Sequence, residues 1–183
     1  RATRLHREGH RFESCISHNK MKFPILFENS HAVVINKPAG IIVHPDDRQK
    51  EYTITDWLKE KYLSVQAGNI KGVGDKGREG IVHRLDRNTT GVLVLAKDKI
   101  AFTTFKKQFR NHTVRKVYRA IVEGHIREDT GMITASIARA RSDFRKKAVV
   151  DVFSNDFRGE EREAITRYKV LERAEDKEGN KYT

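Results

Sequence analysis

Cysteine occurs once in the 183 residues, at Cys15, and proline only three times. One thiol closes no internal disulfide, so the fold is expected to hold by packing alone, as in the reducing cytoplasm. No apolar run approaches the roughly 18 residues that a membrane-spanning helix needs. The basic start, Arg1-Ala2-Thr3-Arg4-Leu5-His6, leads into no apolar segment of a secretory signal, so neither a membrane partner nor export is expected. Acid is the other scarcity. Lys and Arg number 37 against 25 Asp and Glu, a net charge of +12, and a surplus of that size favours a polyanionic partner, nucleic acid first. The shortage is sharpest from Lys99 to Arg119, which holds seven basic residues (Lys99, Lys106, Lys107, Arg110, Arg115, Lys116 and Arg119) and no acid. A second basic cluster, Arg139, Arg141, Arg145, Lys146 and Lys147, is interrupted by Asp143 alone, whereas Glu160 to Glu178 is mixed and slightly acidic. These two clusters are the candidate phosphate-contacting surfaces.

The length suits one main domain. Residues 1–22 have little apolar periodicity and read as a basic arm or linker, leaving 23–183 as the folded domain. Ile25 to Phe27 and Ala32 to Asn36 predict two strands joined by the Glu28-Asn29-Ser30 turn. Ile41 to His44 is expected to resume extended structure, and Thr53 to cap a helix carrying Ile54, Trp57, Leu58 and Tyr62. Five glycines between Gly68 and Gly80 mark a long loop. Ile81 to His83 and Val92 to Ala96 predict strands on either side of the polar turn Arg84 to Gly91. Asp98 is placed to cap a helix that turns Ala101, Phe102, Phe105 and Phe109 inward and Lys99, Lys106 and Lys107 outward. Further strands are expected at Val117 to Glu123, Met132 to Ala138, Lys147 to Phe153 and Ala164 to Leu171. Strands outnumber helices and most connections are short, which predicts an α+β fold with a largely antiparallel sheet.

The turn Arg84-Leu85-Asp86-Arg87-Asn88-Thr89-Thr90-Gly91 sets a carboxylate between two arginines and two apolar strands. A loop carboxylate on a rigid support suits catalysis; a turn-forming Asp paired with a neighbouring Arg is the plain alternative. Glycoside hydrolysis normally needs two cooperating acids, and this turn offers one. His6, His10, Cys15 and His18 match no zinc spacing, so no metal site is expected.

The stretch from Gly80 to Asp98 closely resembles the signature of pseudouridine synthases of the large-subunit ribosomal RNA (RluA) type. Asn36-Lys37-Pro38-Ala39-Gly40-Ile41-Ile42-Val43-His44-Pro45 resembles the segment that precedes it in that family, and Lys116 to Gly124 the segment that follows. The similarity extends over about residues 25–171. It implies the pseudouridine synthase fold, a mixed, mainly antiparallel sheet flanked by helices, and isomerisation of uridine in structured RNA, ribosomal or transfer. It also implies Asp86 as catalytic carboxylate, Tyr118 as the residue packing on the target base, and Arg84 as the residue holding the extruded uridine. His83 and Arg87 beside them are further candidate substrate contacts; His83 and His44 flank the site without metal-ligand spacing, which suits structural or RNA-contacting roles. Lys106, Lys107, Arg110, Arg115, Lys116, Arg139, Arg145, Lys146 and Lys147 would contact the RNA backbone. No cofactor is called for, and a monomer is expected. A non-catalytic RNA-binding or ribosome-assembly protein on the same scaffold is the competing reading, and a base-releasing glycosylase a third.

Two departures stand out. Residues 1–22 are too short for the small RNA-binding domain that many members carry. The family's Thr-Gly-Arg-Thr-His-Gln-like segment, which brings a basic residue to the aspartate, is absent. The catalytic domain is therefore expected to be incomplete at its C-terminus, with Gly179-Asn180 turning into a strand at Lys181-Tyr182-Thr183.

Overall fold

The computed structural model describes residues 21–45, 51–63, 72–143, 146–150 and 157–183. Most of the predicted arm, with His6, His10, Cys15 and His18, lies outside the described residues, as do Arg145 and residues 151–153 of a predicted strand. Two compact units form, the first ending at Lys116 and the second running from Val117 to Thr183.

In the first unit, β1 (Ile25–Glu28), β2 (Ala32–Lys37) and β3 (Gly91–Ala96) form an antiparallel sheet in that order. The β1–β2 turn closes on Asn29, whose Oδ1 accepts from the backbone N–H groups of His31 and Ala32. Alternation puts Val33, Ile35, Leu93 and Leu95 on one face, and all four are fully buried. Helix α1 (Ile54–Leu63) packs there through Ile54, Trp57 and Leu58. Its start is a reciprocal cap: Thr53 Oγ1 accepts from the Asp56 N–H while Asp56 Oδ2 accepts from the Thr53 N–H. Met21, placed in the arm by its sequence, already packs against this core, and Phe23 meets Trp57 edge-on at 5.3 Å. Helix α2 (Lys99–Arg110) begins at the predicted cap, Asp98 accepting from the Ala101 N–H. It turns Ala101, Phe102, Phe105 and Phe109 to the core.

Two expected strands of this unit do not form. The carbonyls of Ile42 and Val43 accept from the N–H groups of Ile54 and Thr55. The extended segment thus serves donors that open a helix, groups with no partner inside it, instead of a neighbouring strand. Ile81 to His83 contributes a single bridge, Ile81 to Leu95.

In the second unit, β4 (Thr130–Ala140) lies between β5 (Lys147–Val149) and β6 (Phe157–Lys169), both antiparallel to it. The hairpin β7 (Ala174–Glu175) and β8 (Lys181–Tyr182) turns at Gly179, as expected, and Asp176 accepts from the backbone of Glu178 and Asn180. Val117 to Glu123 was expected as a strand, but only its end pairs. Glu123 bridges Tyr182, and Val122 exchanges backbone bonds with Thr183. Alternating sequence without a partner for its N–H and C=O groups makes no ladder. The observed class is α+β with antiparallel ladders, as predicted, distributed over three small sheets among the described residues.

Gly80 joins these parts of the first unit. It has φ +73°, and a Cβ there would lie 2.6 Å from both the Ala96 carbonyl oxygen and Leu58 Cδ2. Gly80→Ala should therefore destabilise the protein by roughly 2–4 kcal/mol, from left-handed strain and overpacking together, read as a lower urea midpoint at unchanged slope.

Candidate active site

The β2 pattern Val33-x-Ile35-x-Lys37 carries the core face one step too far for an apolar residue. Lys37 occupies that face at the strand end, directly opposite Gly91 where the Asp86 turn enters β3, and is fully buried. Its Nζ donates to three carbonyls, of Pro38 (2.9 Å), Ile41 (2.9 Å) and Arg87 (3.0 Å), which uses all three ammonium donors. The Gly40 N–H adds a 2.9 Å bond to the same Arg87 carbonyl. The segment after β2 and the Asp86 turn are thereby fastened together. Burial pushes the Lys37 ammonium below its usual range, and the charge of the nearby Asp86 carboxylate opposes that shift.

Asp86 itself is exposed, between the buried Leu85 and the half-buried Arg87. Its carbonyl accepts from the Thr89 N–H at 3.1 Å, closing the turn. The two flanking arginines reach outward to other segments. Arg84 Nη1 lies 3.1 Å from His44 Nε2, and His44 Nδ1 lies 3.0 Å from the Pro45 carbonyl oxygen. A guanidinium only donates, so Nε2 accepts and Nδ1 carries the proton that goes to Pro45. Arg87 Nη2 pairs with Glu51 Oε2 at 2.8 Å. Among the described residues Asp86 forms no ion pair.

His83 faces the scaffold. Its Nε2 accepts from the Val94 N–H at 3.0 Å, and its ring stacks on Phe109 with centroids 4.5 Å apart. Tyr118 lies in the second unit and is 62% exposed. Lys106, Lys107 and Arg110 are exposed on α2, where Lys106 and Lys107 join Phe102, Thr103, Arg110 and Asn111 around a hollow of about 420 Å³. Arg115 and Lys116 follow, exposed; Arg139, Lys146 and Lys147 are exposed in the second unit.

Sequence reading gave no role to Lys37 or Glu51 and left His44 as a structural or RNA-contacting residue. For Lys37 the signal was present as the parity of β2. For His44 and Glu51 there was none, since each acts through a contact with an arginine 36 to 40 positions away.

The family model for RNA pseudouridylate synthase matches residues 31–183, and the chain belongs to that family. A ribosomal large subunit pseudouridine synthase D of Zymomonas mobilis is 39% identical over 147 residues, 80% of this chain and 43% of that protein. The protein of the same description from Pseudomonas aeruginosa is 35% identical over 153 residues, 84% of this chain and 42% of its own length. The chain thus spans less than half the length of these curated relatives. Among solved structures, human RNA pseudouridylate synthase domain containing 4 superimposes with TM-score 0.53 at 27% identity, covering 87% of this chain and 56% of that one. Human RNA pseudouridylate synthase domain containing 1 does so with TM-score 0.64 at 21% identity, covering 88% and 56%, a likeness of fold.

Burial, with the nearby Lys116 charge, lowers the His83 pKa from 6.5 to about 4. The folded protein thus prefers neutral His83, and the resulting stability is complete above pH 6.5 and lost as pH falls through about 4. In urea unfolding, the stability gap between wild type and His83→Gln should be constant above pH 6.5 and narrow steadily towards pH 4. A gap that stayed constant over that range would mean that His83 is not held neutral.

Proposed function

We propose that the chain supplies the catalytic aspartate of an RNA pseudouridine synthase that isomerises uridine in ribosomal RNA. The observation that carries the reading is Asp86, exposed on a turn that buried Lys37 fastens from below and that Arg84 and Arg87 tie to His44 and Glu51. The names of the Zymomonas and Pseudomonas relatives favour ribosomal over transfer RNA as the substrate.

The reaction breaks the C1′–N1 bond, turns the uracil, joins its C5 to C1′ and returns the C5 proton to solvent while N1 gains one. No water is consumed. The bond broken is inaccessible in a stacked helix, so the nucleotide must leave the stack before a carboxylate reaches it. Asp86 then acts as nucleophile or as base; both roles need a carboxylate held at a fixed point beside the ribose. Arg84, held by His44, presents a donor next to that point. The exposed cations of α2 suit the RNA backbone, because contacts to phosphate fix position without reading sequence.

In the whole protein, Asp86→Asn should abolish pseudouridine formation while RNA affinity stays within a few-fold, since the change removes the reacting group and no phosphate contact. Appreciable turnover by this variant, measured as pseudouridine in large-subunit ribosomal RNA, would overturn the proposal, and release of free uracil would make the protein a glycosylase.

The α2 surface has its own test. Neutralising Lys106, Lys107 and Arg110 together should weaken binding to unrelated RNA sequences alike and reduce the salt dependence by up to roughly three phosphate contacts' worth. An unchanged slope would remove α2 from the binding surface.

A further inference from the structure

The sheet of the second unit sorts its charges by face, which the order of residues in the sequence conceals. Arg139 of β4 stands directly opposite Lys147 of β5 on one side and Arg158 of β6 on the other. Three cations therefore cross three adjacent strands in one row, about 10 Å from end to end at ordinary strand spacing. Two positions back on β4, Ile137 pairs with Val149 and with Arg162. Side chains two apart share a face of a strand, so Arg162 joins the row's face. A bulge in β6 helps. Arg158 and Arg162 are four residues apart yet face β4 positions only two apart, and Gly159 between them takes φ +76°.

All four cations are exposed, and among the described residues neither Arg158 nor Arg162 has an ion-pair partner. The β4–β6 pairs that continue this face are Ala135 with Ala164, Ile133 with Thr166 and Gly131 with Tyr168, none of them acidic. Glu163 pairs with Ser136 and so faces the other way. Glu160, two residues from both Arg158 and Arg162, shares their side by the same alternation, so this face holds four cations to one carboxylate and is net basic.

Like charges set directly opposite one another weaken a sheet. A face with four exposed cations to one carboxylate is suited to a ligand of opposite charge. We propose that this face of the β5–β4–β6 sheet, through Lys147, Arg139, Arg158 and Arg162, binds the phosphate backbone of the substrate RNA. This rests on the RNA-modifying function proposed above and adds a second phosphate-binding surface, to which Arg158 and Arg162 belong although they lie outside both basic clusters of the sequence.

The test uses the whole protein and an unmodified large-subunit ribosomal RNA transcript. Arg158→Gln with Arg162→Gln is compared with Arg167→Gln with Lys169→Gln, which removes the same charge from exposed positions of β6 on the opposite face. The first pair should flatten the plot of log affinity against log salt by up to roughly two phosphate contacts' worth and raise KM with kcat within about twofold; the second should leave both near wild type. The single change Arg158→Gln should not lower Tm, because it removes a like-charge neighbour; a clear drop would assign Arg158 to the fold instead. Equal effects from the two pairs would reduce the proposal to net charge, and no effect from the first would overturn it. Either result in a protein whose wild type still forms pseudouridine leaves the catalytic assignment standing, whereas a wild type that neither binds nor modifies RNA would remove both.

Discussion

The first unit depends on one buried ammonium. Removing a lysine charge from water costs several kcal/mol, and Lys37 offsets this with three charge-assisted bonds to carbonyls and with the field of Asp86. Two of those carbonyls belong to the loop that leaves β2, and the third to the turn that enters β3. A neutral apolar side chain would fill the same space, leave the Pro38 and Ile41 carbonyls without that donor and leave the Arg87 carbonyl with the Gly40 N–H alone. A lysine at this position therefore fixes the geometry of the Asp86 turn as well as filling the end of the core.

Around that anchor the turn is held at three points of different strength. The Lys37 bonds are buried and specific. The Arg84–His44 contact adds a fixed imidazole tautomer, since His44 can accept from Arg84 only while donating to Pro45. The Arg87–Glu51 pair is solvent-exposed and contributes little to stability by itself. Together they engage both guanidinium groups with other segments, and among the described residues neither forms an ion pair with Asp86. Immediately before Arg84, the His83 ring serves the scaffold, bonded to β3 and stacked on Phe109 of α2.

Local signals in the sequence carried most of the first unit. The β1–β2 hairpin, the Thr53 and Asp98 caps and the inward face of α2 each depend on neighbours within a few positions, and each formed as expected. Expectations failed where pairing partners decide. Ile41 to His44 and Val117 to Glu123 have strand-like patterns, but the carbonyls of the first serve a helix start and most of the second has no ladder. At the site, Asp86 and its arginines were legible because the turn is continuous in sequence. The restraints on those arginines were not, because His44 and Glu51 meet them only through folding. The charge row of the second unit was hidden for the same reason: Lys147, Arg139 and Arg158 become neighbours through register.

Two places in the described strands depart from ordinary strand patterning. A lysine stands where β2 alternation calls for a core residue, and three cations stand abreast where cross-strand pairing favours opposite charges. Each has a measurable disadvantage to the fold, several kcal/mol for a buried charge before compensation and about 0.2–1 kcal/mol for each unfavourable cross-strand pair. Sequences agree with their folds at most positions and depart from them chiefly where function demands it. The first departure lies beneath the only carboxylate of the Asp86 turn, and the second covers an exposed face with four cations to one carboxylate, Glu160. The two differ in kind. Compensation for Lys37 comes from within the protein, through its carbonyls and Asp86, so its effect is to position. On the β5–β4–β6 face the surplus charge is exposed to solvent, where an anion from outside can meet it, which is the basis of the binding role proposed above.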